Sequence, residues 1–394
     1  MGRESDGIHR SAFHGVPVTR MRIAHVVTYT SADGAFGGPT RVALAQAKAL
    51  AERGHDVTVF AGSPPREAGD TQRDGFRLRT FPVQKVAPFG GFATLRPRGM
   101  RAALSAQARE LDVAHVHMAR DLATLPAALT LRKIGVPYVT QTHGMIDRSD
   151  RRLAAVLDRI ATGRALVGAG SWLLLTPGEK TDLAHVAAPG RTRAVRNGVD
   201  LRETTPLDQR SDTVLFLARL HERKRPLAFI EMAKRLADDL PHTEFLLIGP
   251  DEGEGAAVAR AIGASGLGNR LRWAGALSPD ETASAMESAR VYVLPAVNEV
   301  FPMTILESFV AGTPVVTTSS LAIAPDCERF GAALITDGTV EQLAAAVLRA
   351  RNDTDLAASL RHGAAAYLEA ELDIKNVARD LEDEYSYVMR TRRD

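Results

Sequence analysis

Short apolar segments rich in β-branched residues alternate with helical stretches along most of the chain. In the first half these segments are MRIAHVVTYT, HDVTVFAG, DVAHVH, PYVTQTHG and SWLLLTP. Continuous apolar runs of this length are typical of strands buried on both faces of a parallel sheet. The helical stretch TRVALAQAKALAERG ends in Gly54, the residue type that most often terminates a helix. The alternation therefore predicts an open parallel sheet with helices on both faces.

The pattern loosens in a polar, turn-rich segment near residue 205 and then starts again. Strands are predicted at TVLFLAR, EFLLIGP, LRWAG, VYVLP, PVVTT and AALIT, with helices at 226–239, 254–264, 279–288, 302–311 and 340–350. The chain is thus predicted to form two α/β domains, residues 21–205 and 206–375. Residues 1–20 are predicted to be a disordered tail. A charged amphipathic helix over 376–394 is expected to complete the first domain, or else to cap the second.

Composition agrees with a two-domain globular chain. Its 394 residues exceed what one ordinary core organises, and hydrophobic residues make up 45% and charged residues 24%. The single cysteine, Cys327, excludes an intramolecular disulfide and a cysteine zinc cluster, and it suits a reducing compartment. The chain has no apolar run of about 18 residues, the length of a transmembrane helix, so a cytoplasmic protein is expected.

Charge is spread unevenly between the two halves. Residues 21–205 hold 26 Lys and Arg against 16 Asp and Glu, a net +10, whereas residues 206–394 hold 20 against 29, a net −9. A basic half attracts phosphates, nucleic acid or an anionic lipid surface, and unequal solubility charge explains the same numbers. No nucleic-acid partner is expected, because the aromatic residues on which bases stack make up 5% of the chain.

Two glutamates bracket an apolar run in NEVFPMTILESFVAGTP, residues 298–314. A strand precedes this run, Pro302 suits the first turn of a helix, and Gly312 suits its end. Glu299 is then predicted in the loop and Glu307 inside the helix. Ligands of open α/β sheets bind beyond the carboxyl ends of strands, where a helix N-terminus offers free N–H groups to a phosphate. The two glutamates, one on either side of such a phosphate, would accept hydrogen bonds from hydroxyl groups, which favours a nucleotide sugar as the ligand. The same spacing also arises when one glutamate lies in a solvated loop and the other on the exposed face of a helix.

This stretch resembles the E-x7-E signature of the retaining glycosyltransferases of family 4, which have the GT-B fold. The resemblance covers about residues 21–390, because the opening strand with its Gly-rich loop and the segments DVAHVH, VTQTHG, AVRNGVD, LARLHERK and LRWAGALSPDE fall in the family's order. It implies two Rossmann-like, open parallel-sheet domains that face a cleft. It also implies transfer of a hexose-type sugar, with retention of configuration, from a nucleoside-diphosphate donor such as a UDP- or GDP-sugar.

The resemblance assigns roles to residues of the second domain. Glu307 would bind the ribose hydroxyls of the donor, and Glu299 the hydroxyls of the transferred sugar. Arg219 and Lys224 in LARLHERK would neutralise the diphosphate. One further segment would meet the sugar and the diphosphate, chiefly through backbone N–H groups: Phe301, Pro302, Met303 and Thr304.

LARLHERK departs from the family's pattern in two places. Ala218 stands where a glycine is usual, and Arg225-Pro226 replaces the glycine that follows the lysine. The departure adds a positive charge and stiffens the start of the next helix. A solvated basic loop is the structural alternative for this segment.

Glycine and histidine residues of the first domain complete the implied site. The loop GAFGGPTR would close over the donor phosphates, with Gly37 and Gly38 letting the backbone approach the ligand, although a tight turn alone explains such glycines. His143 in QTHG would lie beside the transferred sugar and position it. Trp273 of the second domain would line the wall next to the nucleobase, or would belong to the core.

Two further motifs are expected to have structural roles. They are AHVHMA, with His115 and His117, and the turn in RNGVD, with Asn197 and Gly198. The first lies in a predicted strand, and the second resembles the family's turn that leads to the linker.

Neither a metal nor another cofactor is expected. No D-x-D motif stands where a metal-dependent transferase would hold its cation, and DTD at 353–355 is better explained as a helix cap.

The resemblance implies that the reaction depends on His143, Arg219, Lys224 and Glu299, with the leaving diphosphate helping to deprotonate the acceptor. The alternatives are a GT-B-fold sugar-nucleotide epimerase or phosphorylase, and a non-catalytic nucleotide-sugar-binding protein.

The sequence leaves the acceptor open between a glycan, a glycolipid or other lipid-linked molecule, and a small molecule. FGGFATLRPRGMRAAL, residues 89–104, mixes Phe, Leu and Met with Arg96, Arg98 and Arg101. That composition suits an interfacial helix, so the basic first domain is a candidate for peripheral contact with an anionic membrane. An acceptor-side helix with solvated arginines is the favoured alternative.

Overall fold

The computed structural model describes residues 19–31, 37–87, 91–147 and 152–392. The first half of the chain forms a nine-stranded sheet with the order β3-β4-β2-β1-β6-β7-β8-β9, and β5 pairs with β4. Its strands are β1 (Arg22–Tyr29), β2 (Asp56–Ser63), β3 (Gly69–Arg73), β4 (Phe76–Lys85), β5 (Leu95–Pro97), β6 (Val113–His117), β7 (Tyr138–Gln141), β8 (Ser171–Leu174) and β9 (Thr192–Ala194).

Helices cover both faces of this sheet. They are α1 (Gly37–Glu52), α2 (Met100–Gln107), α3 (Thr124–Ile134), α4 (Arg152–Leu157), α5 (Gly163–Gly168) and α6 (Pro177–Ala184). The strand β1 shows why two layers of helix are needed, because Ile23 packs into the core on one face and Ala24 into the core on the other. Side chains that alternate between two apolar faces are what a continuous apolar run produces in a parallel strand.

The second half forms a six-stranded sheet with the order β12-β11-β10-β13-β14-β15, in which every pair is parallel. Its strands are β10 (Thr213–Leu217), β11 (Glu244–Ile248), β12 (Leu271–Trp273), β13 (Val291–Leu294), β14 (Val315–Thr318) and β15 (Ala333–Thr336). Its helices are α7 (Pro226–Arg235), α8 (Gly255–Ala264), α9 (Pro279–Ser288), α10 (Met303–Ala311), α11 (Ala324–Phe330), α12 (Val340–Asn352) and α13 (Thr354–Tyr367). Two parallel α/β sheets were predicted, and this fold class is confirmed.

A hairpin in the first half did not appear in the predicted pattern. β3 and β4 pair antiparallel, and the turn between them contains Asp74 and Gly75, with φ of 48° and 83°. Both angles are positive, as the two-residue turn of a tight hairpin requires, and Asp-Gly is one of the pairs that adopt it most readily. The Asp-Gly pair was therefore the available signal for this hairpin.

The last helix, α14 (Ile374–Thr391), returns to the first half of the chain. Val377, Leu381, Tyr385 and Val388 are buried in the core that α1 and β1 share. The helix was predicted over 376–394 and begins two residues earlier, where the Asp373 side chain accepts a hydrogen bond from the Lys375 N–H. The predicted domain limits at residues 205 and 375 stay predictions.

Two chain segments connect the halves and lie against each other. The Val199 N–H donates to the Leu372 carbonyl at 2.9 Å, and the Ile374 N–H donates to the Val199 carbonyl at 3.1 Å. Gly198 makes this approach possible, because a Cβ there would lie 2.6 Å from Ile374 Cδ1 and 2.8 Å from Ile374 Cα. The glycine of RNGVD thus has a packing role, which agrees with the structural role expected for it.

We expect Gly198→Ala to destabilise the protein by about 1–3 kcal/mol, because an added methyl group must push the paired segments apart. Differential scanning calorimetry of the variant and the parent measures the loss. Gly263→Ala is a matched control, since an added Cβ at Gly263 meets nothing within 4 Å. Equal stability of the two variants would contradict a close approach at Gly198.

Cys327 is fully buried in a core of the second half, where burial raises the pKa of its thiol to about 12. The thiol is therefore uncharged, and its role as a small apolar side chain accounts for its position. Among the described residues, no helix is long and apolar enough to cross a membrane.

Candidate functional site

The two glutamates of the opening motif lie beyond the carboxyl end of β13. The strand ends at Leu294, Glu299 follows in the loop, and Glu307 lies in the second turn of α10. Pro302 is the N-cap residue, so the helix begins one residue later than predicted, and Gly312 ends it with φ of 66°. Thr304, in the first turn, is fixed by a 2.7 Å hydrogen bond from the Tyr292 hydroxyl. The helix N-terminus thus faces the same edge of the sheet as Glu299.

The loop after β10 lies beside the loop after β13 because the two strands are neighbours. Val297 N–H donates to the Arg223 carbonyl at 2.9 Å, and the Arg223 guanidinium donates to the Asn298 carbonyl. Lys224 Nζ donates to Glu299, which joins two predicted site residues that are 75 positions apart. Since β11 and β13 flank β10 on opposite sides, these loops stand where ligands of open α/β sheets bind.

Arg219 lies on the same edge but has a different partner. Its Nη1 contacts both carboxylate oxygens of Glu252, at 2.6 and 2.7 Å, and half of the Arg219 side chain is exposed. The two predicted diphosphate ligands are therefore each paired with a carboxylate, Lys224 with Glu299 and Arg219 with Glu252. An incoming diphosphate would compete with these carboxylates for the same cations.

Burial changes the ionisation of two residues in the motif. It lowers the pKa of Lys224, although the neighbouring Glu299 carboxylate opposes the shift. Burial also raises the pKa of Glu307, against the opposing effect of Arg41. A largely buried cation such as Lys224 stabilises an anionic ligand more strongly than an exposed one would, because the local dielectric constant is low.

Two contacts show that the first half of the chain packs against this edge of the second sheet. Arg41 of α1 donates to Glu307, in an ion pair that links residues 266 positions apart. The loop after β7 also reaches across, because a Cβ at Gly144 would lie 2.5 Å from Val300 Cγ2. Arg41 was missed as a site residue, although it is the last letter of the quoted segment GAFGGPTR. The candidate site is therefore a cleft between the two sheets.

His143 follows β7 in a strained conformation on the first-half wall of this cleft. Its φ is 53°, an uncommon value for a residue with a side chain, and its neighbour Gly144 also has a positive φ. The buried Glu179 carboxylate holds the turn by accepting hydrogen bonds from Gly144 N–H at 2.6 Å and the Thr142 hydroxyl at 3.0 Å. Burial lowers the pKa of His143 to about 3, so its imidazole is neutral at physiological pH. Such an outlier held by a dedicated partner supports a functional role.

The glycine-rich segment is only partly described. Residues 32–36 lie outside the described residues, and Gly37 and Gly38 form the first turn of α1 rather than a loop before it. A Cβ on Gly38 would meet nothing within 4 Å. No described neighbour therefore requires a glycine at position 38.

Trp273 ends β12, and its indole N–H donates to the Gly249 carbonyl at 2.9 Å. The ring packs against a core of the second half while remaining partly exposed. Of the two roles left open for it, the core role has contacts in the structure. Its place in the nucleobase wall stays a prediction.

One group of side chains within the described part of the chain has the spacing of a metal site. It consists of His25, His115 and His117, whose nearest ring nitrogens lie within 4.8 Å of one another. All three are buried between the first sheet and its helices, so they lie behind the cleft wall rather than in it. The DTD segment caps α13, since the Asp353 side chain accepts a hydrogen bond from Leu356 N–H. The expectation that the reaction needs no metal stays a prediction.

Comparison with protein families covers both halves of the chain. The model for "Glycosyl transferases group 1" matches residues 200–366, and the model for "Glycosyltransferase Family 4" matches residues 36–203. The chain belongs to glycosyltransferase family 4. The resemblance read from the E-x7-E motif is thereby confirmed, and glycosyltransferase activity follows for this family-4 chain.

Curated relatives share about a quarter of their residues with this family-4 chain. D-inositol 3-phosphate glycosyltransferase of Corynebacterium diphtheriae is 24% identical over 340 residues, 75% of this chain and 78% of the relative. 2-Deoxystreptamine glucosyltransferase of Streptomyces kanamyceticus is 26% identical over 363 residues, 81% of this chain and 91% of the relative.

Solved structures confirm the GT-B architecture. The crystal structure of Anabaena HepE (Alr3699) in complex with UDP and glucose matches with a TM-score of 0.71 and 19% identity, over 93% of this chain and all of that one. Sucrose-phosphate synthase of Thermosynechococcus elongatus matches with a TM-score of 0.69 and 19% identity, over 94% of this chain and all of that one. At this identity the likeness shows the fold.

Proposed function

We propose that this family-4 glycosyltransferase moves a hexose-type sugar from a nucleoside diphosphate to an acceptor with retention of anomeric configuration. The observation that carries the proposal is the position of Lys224 and Glu299 at the N-terminus of α10, with Glu307 one turn inside. A helix N-terminus and a buried lysine suit a diphosphate, and carboxylates on either side suit hydroxyl groups. Incubation of the purified protein with nucleotide sugars, without acceptor, tests it by release of the nucleoside diphosphate.

Each charged side chain of the site has one role in this proposal. Glu307 accepts hydrogen bonds from the ribose hydroxyls, and Glu299 from hydroxyls of the transferred sugar. Lys224 and Arg219 turn from their carboxylate partners toward the diphosphate, whose charge increases as the sugar leaves. The four residues of the α10 N-terminus meet the sugar and the diphosphate, and Gly37 and Gly38 admit the phosphates from the opposite wall.

We assign retention of the anomeric configuration to front-face attack, in which the acceptor approaches the sugar on the same face that the diphosphate leaves. A retaining hydrolase places two carboxylates about 5 Å apart across the bond that breaks, and one of them attacks the sugar. Here Glu299 and Glu307 are both assigned to hydroxyl binding, so the leaving diphosphate itself takes the acceptor's proton on the same face. Nuclear magnetic resonance of the product, which reports the anomeric configuration, tests this assignment.

UDP-hexoses are the first donors to test, since the similar fold of HepE was solved with UDP and glucose. The relatives' names include D-inositol 3-phosphate and 2-deoxystreptamine, two small molecules with several hydroxyl groups. A small polyol acceptor is therefore proposed ahead of a glycan or a glycolipid. Transfer to such polyols, measured against donor hydrolysis alone, tests the acceptor class.

Donor binding is expected to weaken as the pH falls. Glu307 accepts hydroxyl hydrogen bonds as a carboxylate, and its pKa is raised by burial, so acidification through that raised pKa removes the acceptor. At pH values well below the pKa of Glu307, the dissociation constant of the donor rises up to about tenfold for each unit by which the pH falls. Calorimetric titration with UDP-glucose between pH 8 and 5 measures this, because its diphosphate diester does not titrate there. Glu307→Gln should bind weakly with no such pH dependence, and an unchanged slope in that variant would contradict the assignment.

Residues 89 and 90 lie outside the described residues, and the packing of residues 91–104 gives little support to membrane contact. Met100 and Leu104 are buried, so two of the apolar side chains do not face outward, while Arg96, Arg98 and Arg101 are exposed. These arginines line an open groove of about 890 Å³. Flotation with phosphatidylglycerol vesicles at low salt tests the membrane interpretation. Loss of binding when the three arginines are replaced would support it, and absence of binding would exclude it.

Two other functions fit the same nucleotide-sugar site. A non-catalytic nucleotide-sugar-binding protein would bind the donor without releasing the diphosphate, even slowly. A GT-B-fold epimerase would convert one nucleotide sugar into another. Product analysis after the same acceptor-free incubation separates both from a transferase, which releases the diphosphate.

A further inference from the structure

Four histidine rings lie close together in a group that starts at the cleft wall with the partly buried His143 and continues beneath α1 and α14 with three buried rings. His143 Nε2 lies 2.8 Å from His117 Nδ1, and His117 Nε2 lies 3.0 Å from His25 Nδ1. His115 stacks on His117 with ring centroids 4.2 Å apart, but its Nδ1 contacts the Tyr385 hydroxyl instead. Three of the four rings thus form one hydrogen-bonded chain, which we call the imidazole chain: His143, His117 and His25.

All three imidazoles are neutral, so each carries one ring hydrogen. Burial lowers the pKa of His25 and of His143 to about 3, and that of His117 well below its usual value. Every contact in the imidazole chain joins an Nδ1 to an Nε2. Each contact needs one donor and one acceptor, so the three rings carry their hydrogens all on Nδ1 or all on Nε2.

The buried end of the imidazole chain distinguishes these two arrangements. His25 is fully buried, and its Nε2 has no hydrogen-bond partner among the described residues. With hydrogens on Nε2, this atom would be a buried N–H without an acceptor. With hydrogens on Nδ1, it is an unpaired acceptor, which proteins tolerate better. The second arrangement therefore has the lower free energy.

We infer that His25 and His117 are positioning residues that fix the tautomer of His143, so that its Nδ1–H is a hydrogen-bond donor toward the sugar in the cleft. Nε2 of His143 is already used by His117, which leaves Nδ1 for the ligand. His143 would then donate to a sugar oxygen while Glu299, across the cleft, accepts from a sugar hydroxyl. The role of His143 toward a sugar rests on the proposed function, whereas its tautomer does not.

A metal ion is a weaker explanation for the same rings. His25, His115 and His117 have the required proximity, but both nitrogens of His117 are already engaged with neighbouring rings. A metal bound by His117 would have to break one of these contacts. The imidazole chain explains the contacts that are present.

The direct test is nitrogen magnetic resonance of the full-length, ligand-free protein with 15N-labelled histidine. Two-bond proton–nitrogen correlations distinguish imidazoles with hydrogen on Nδ1, imidazoles with hydrogen on Nε2, imidazolium and metal-bound rings, and single His→Gln variants assign the signals. We expect hydrogen on Nδ1 for His25, His117 and His143. Hydrogen on Nε2 in any of them, for example because of a water at His25, would overturn the inference, as would imidazolium or bound zinc.

Kinetics of two neighbouring variants supply the second test. His117→Gln breaks the imidazole chain, while His115→Gln is a matched control on the same strand, with similar burial and ring stacking but a different partner. We expect His117→Gln to lower kcat about tenfold more than the control does, with donor KM within about threefold and a similar melting temperature.

His117→Asn should restore part of the kcat lost in His117→Gln, because its amide nitrogen takes the place of Nδ1 and can still donate to His143. Equal losses of kcat in His117→Gln and His115→Gln would show that these rings only pack in the core, and would overturn the inference. If no nucleotide sugar is turned over at all, the proposed function fails, while the resonance measurement still decides the tautomer.

Discussion

Lys224→Ala is expected to lower kcat/KM for the donor by about a hundred- to a thousandfold. The lysine is the buried cation at the N-terminus of α10, with 13% of its side chain exposed, and its Nζ meets Glu299. A preorganised charge aimed at a developing anion in a desolvated site contributes about this factor to a reaction. Its removal also leaves the Glu299 carboxylate without its cation, which opposes the approach of the diphosphate.

Steady-state kinetics measure this loss of kcat/KM when Lys224→Ala is compared with a variant of a surface lysine. Lys234→Ala is the matched control, because Lys234 lies on the helix that follows, has 40% of its side chain exposed and pairs with Glu231. We expect the control to keep the parent's activity and both variants to remain folded. A loss below about threefold in Lys224→Ala would remove this residue from the reaction and weaken the proposed diphosphate site.

Leu381→Ala should produce the largest loss of stability, about 2–5 kcal/mol. Leu381 is fully buried where α14 packs on the first half of the chain, so truncation leaves a cavity between this helix and the sheet. Leu227→Ala is the same substitution at a site that is 37% exposed and should cost much less. Equal denaturant midpoints for both variants would contradict the packing of the last helix on the first half.

Local sequence patterns predicted the parts of the site that depend on local structure. Three such parts could be predicted: the strand before Glu299, the helix that contains Glu307 and the glycine that ends this helix. Each follows from a short sequence feature, which is an apolar run, a proline or a glycine. The fold class followed in the same way from repeated strand and helix patterns. Residue roles in the site stay predictions.

Long-range contacts could not be predicted from these patterns. Arg41 meets Glu307 across 266 residues, and no local spacing indicates that α1 and α10 face each other. His25 lies in an apolar strand and gives no signal by itself. Its contact with His117 becomes visible only when β1 and β6 are known to be neighbours, with His25 in register with His115. The imidazole chain is therefore a consequence of sheet order.

The donor site is tested by a thermal-shift screen against UDP, GDP, ADP and dTDP, each with matched nucleotide sugars and in excess EDTA. Ligands that bind the native state raise its apparent stability by mass action. We expect a rise in melting temperature with one nucleoside diphosphate, without metal, and the loss of this rise in Glu307→Ala. A shift with none of them, or one that persists in Glu307→Ala, would contradict a donor site at the N-terminus of α10.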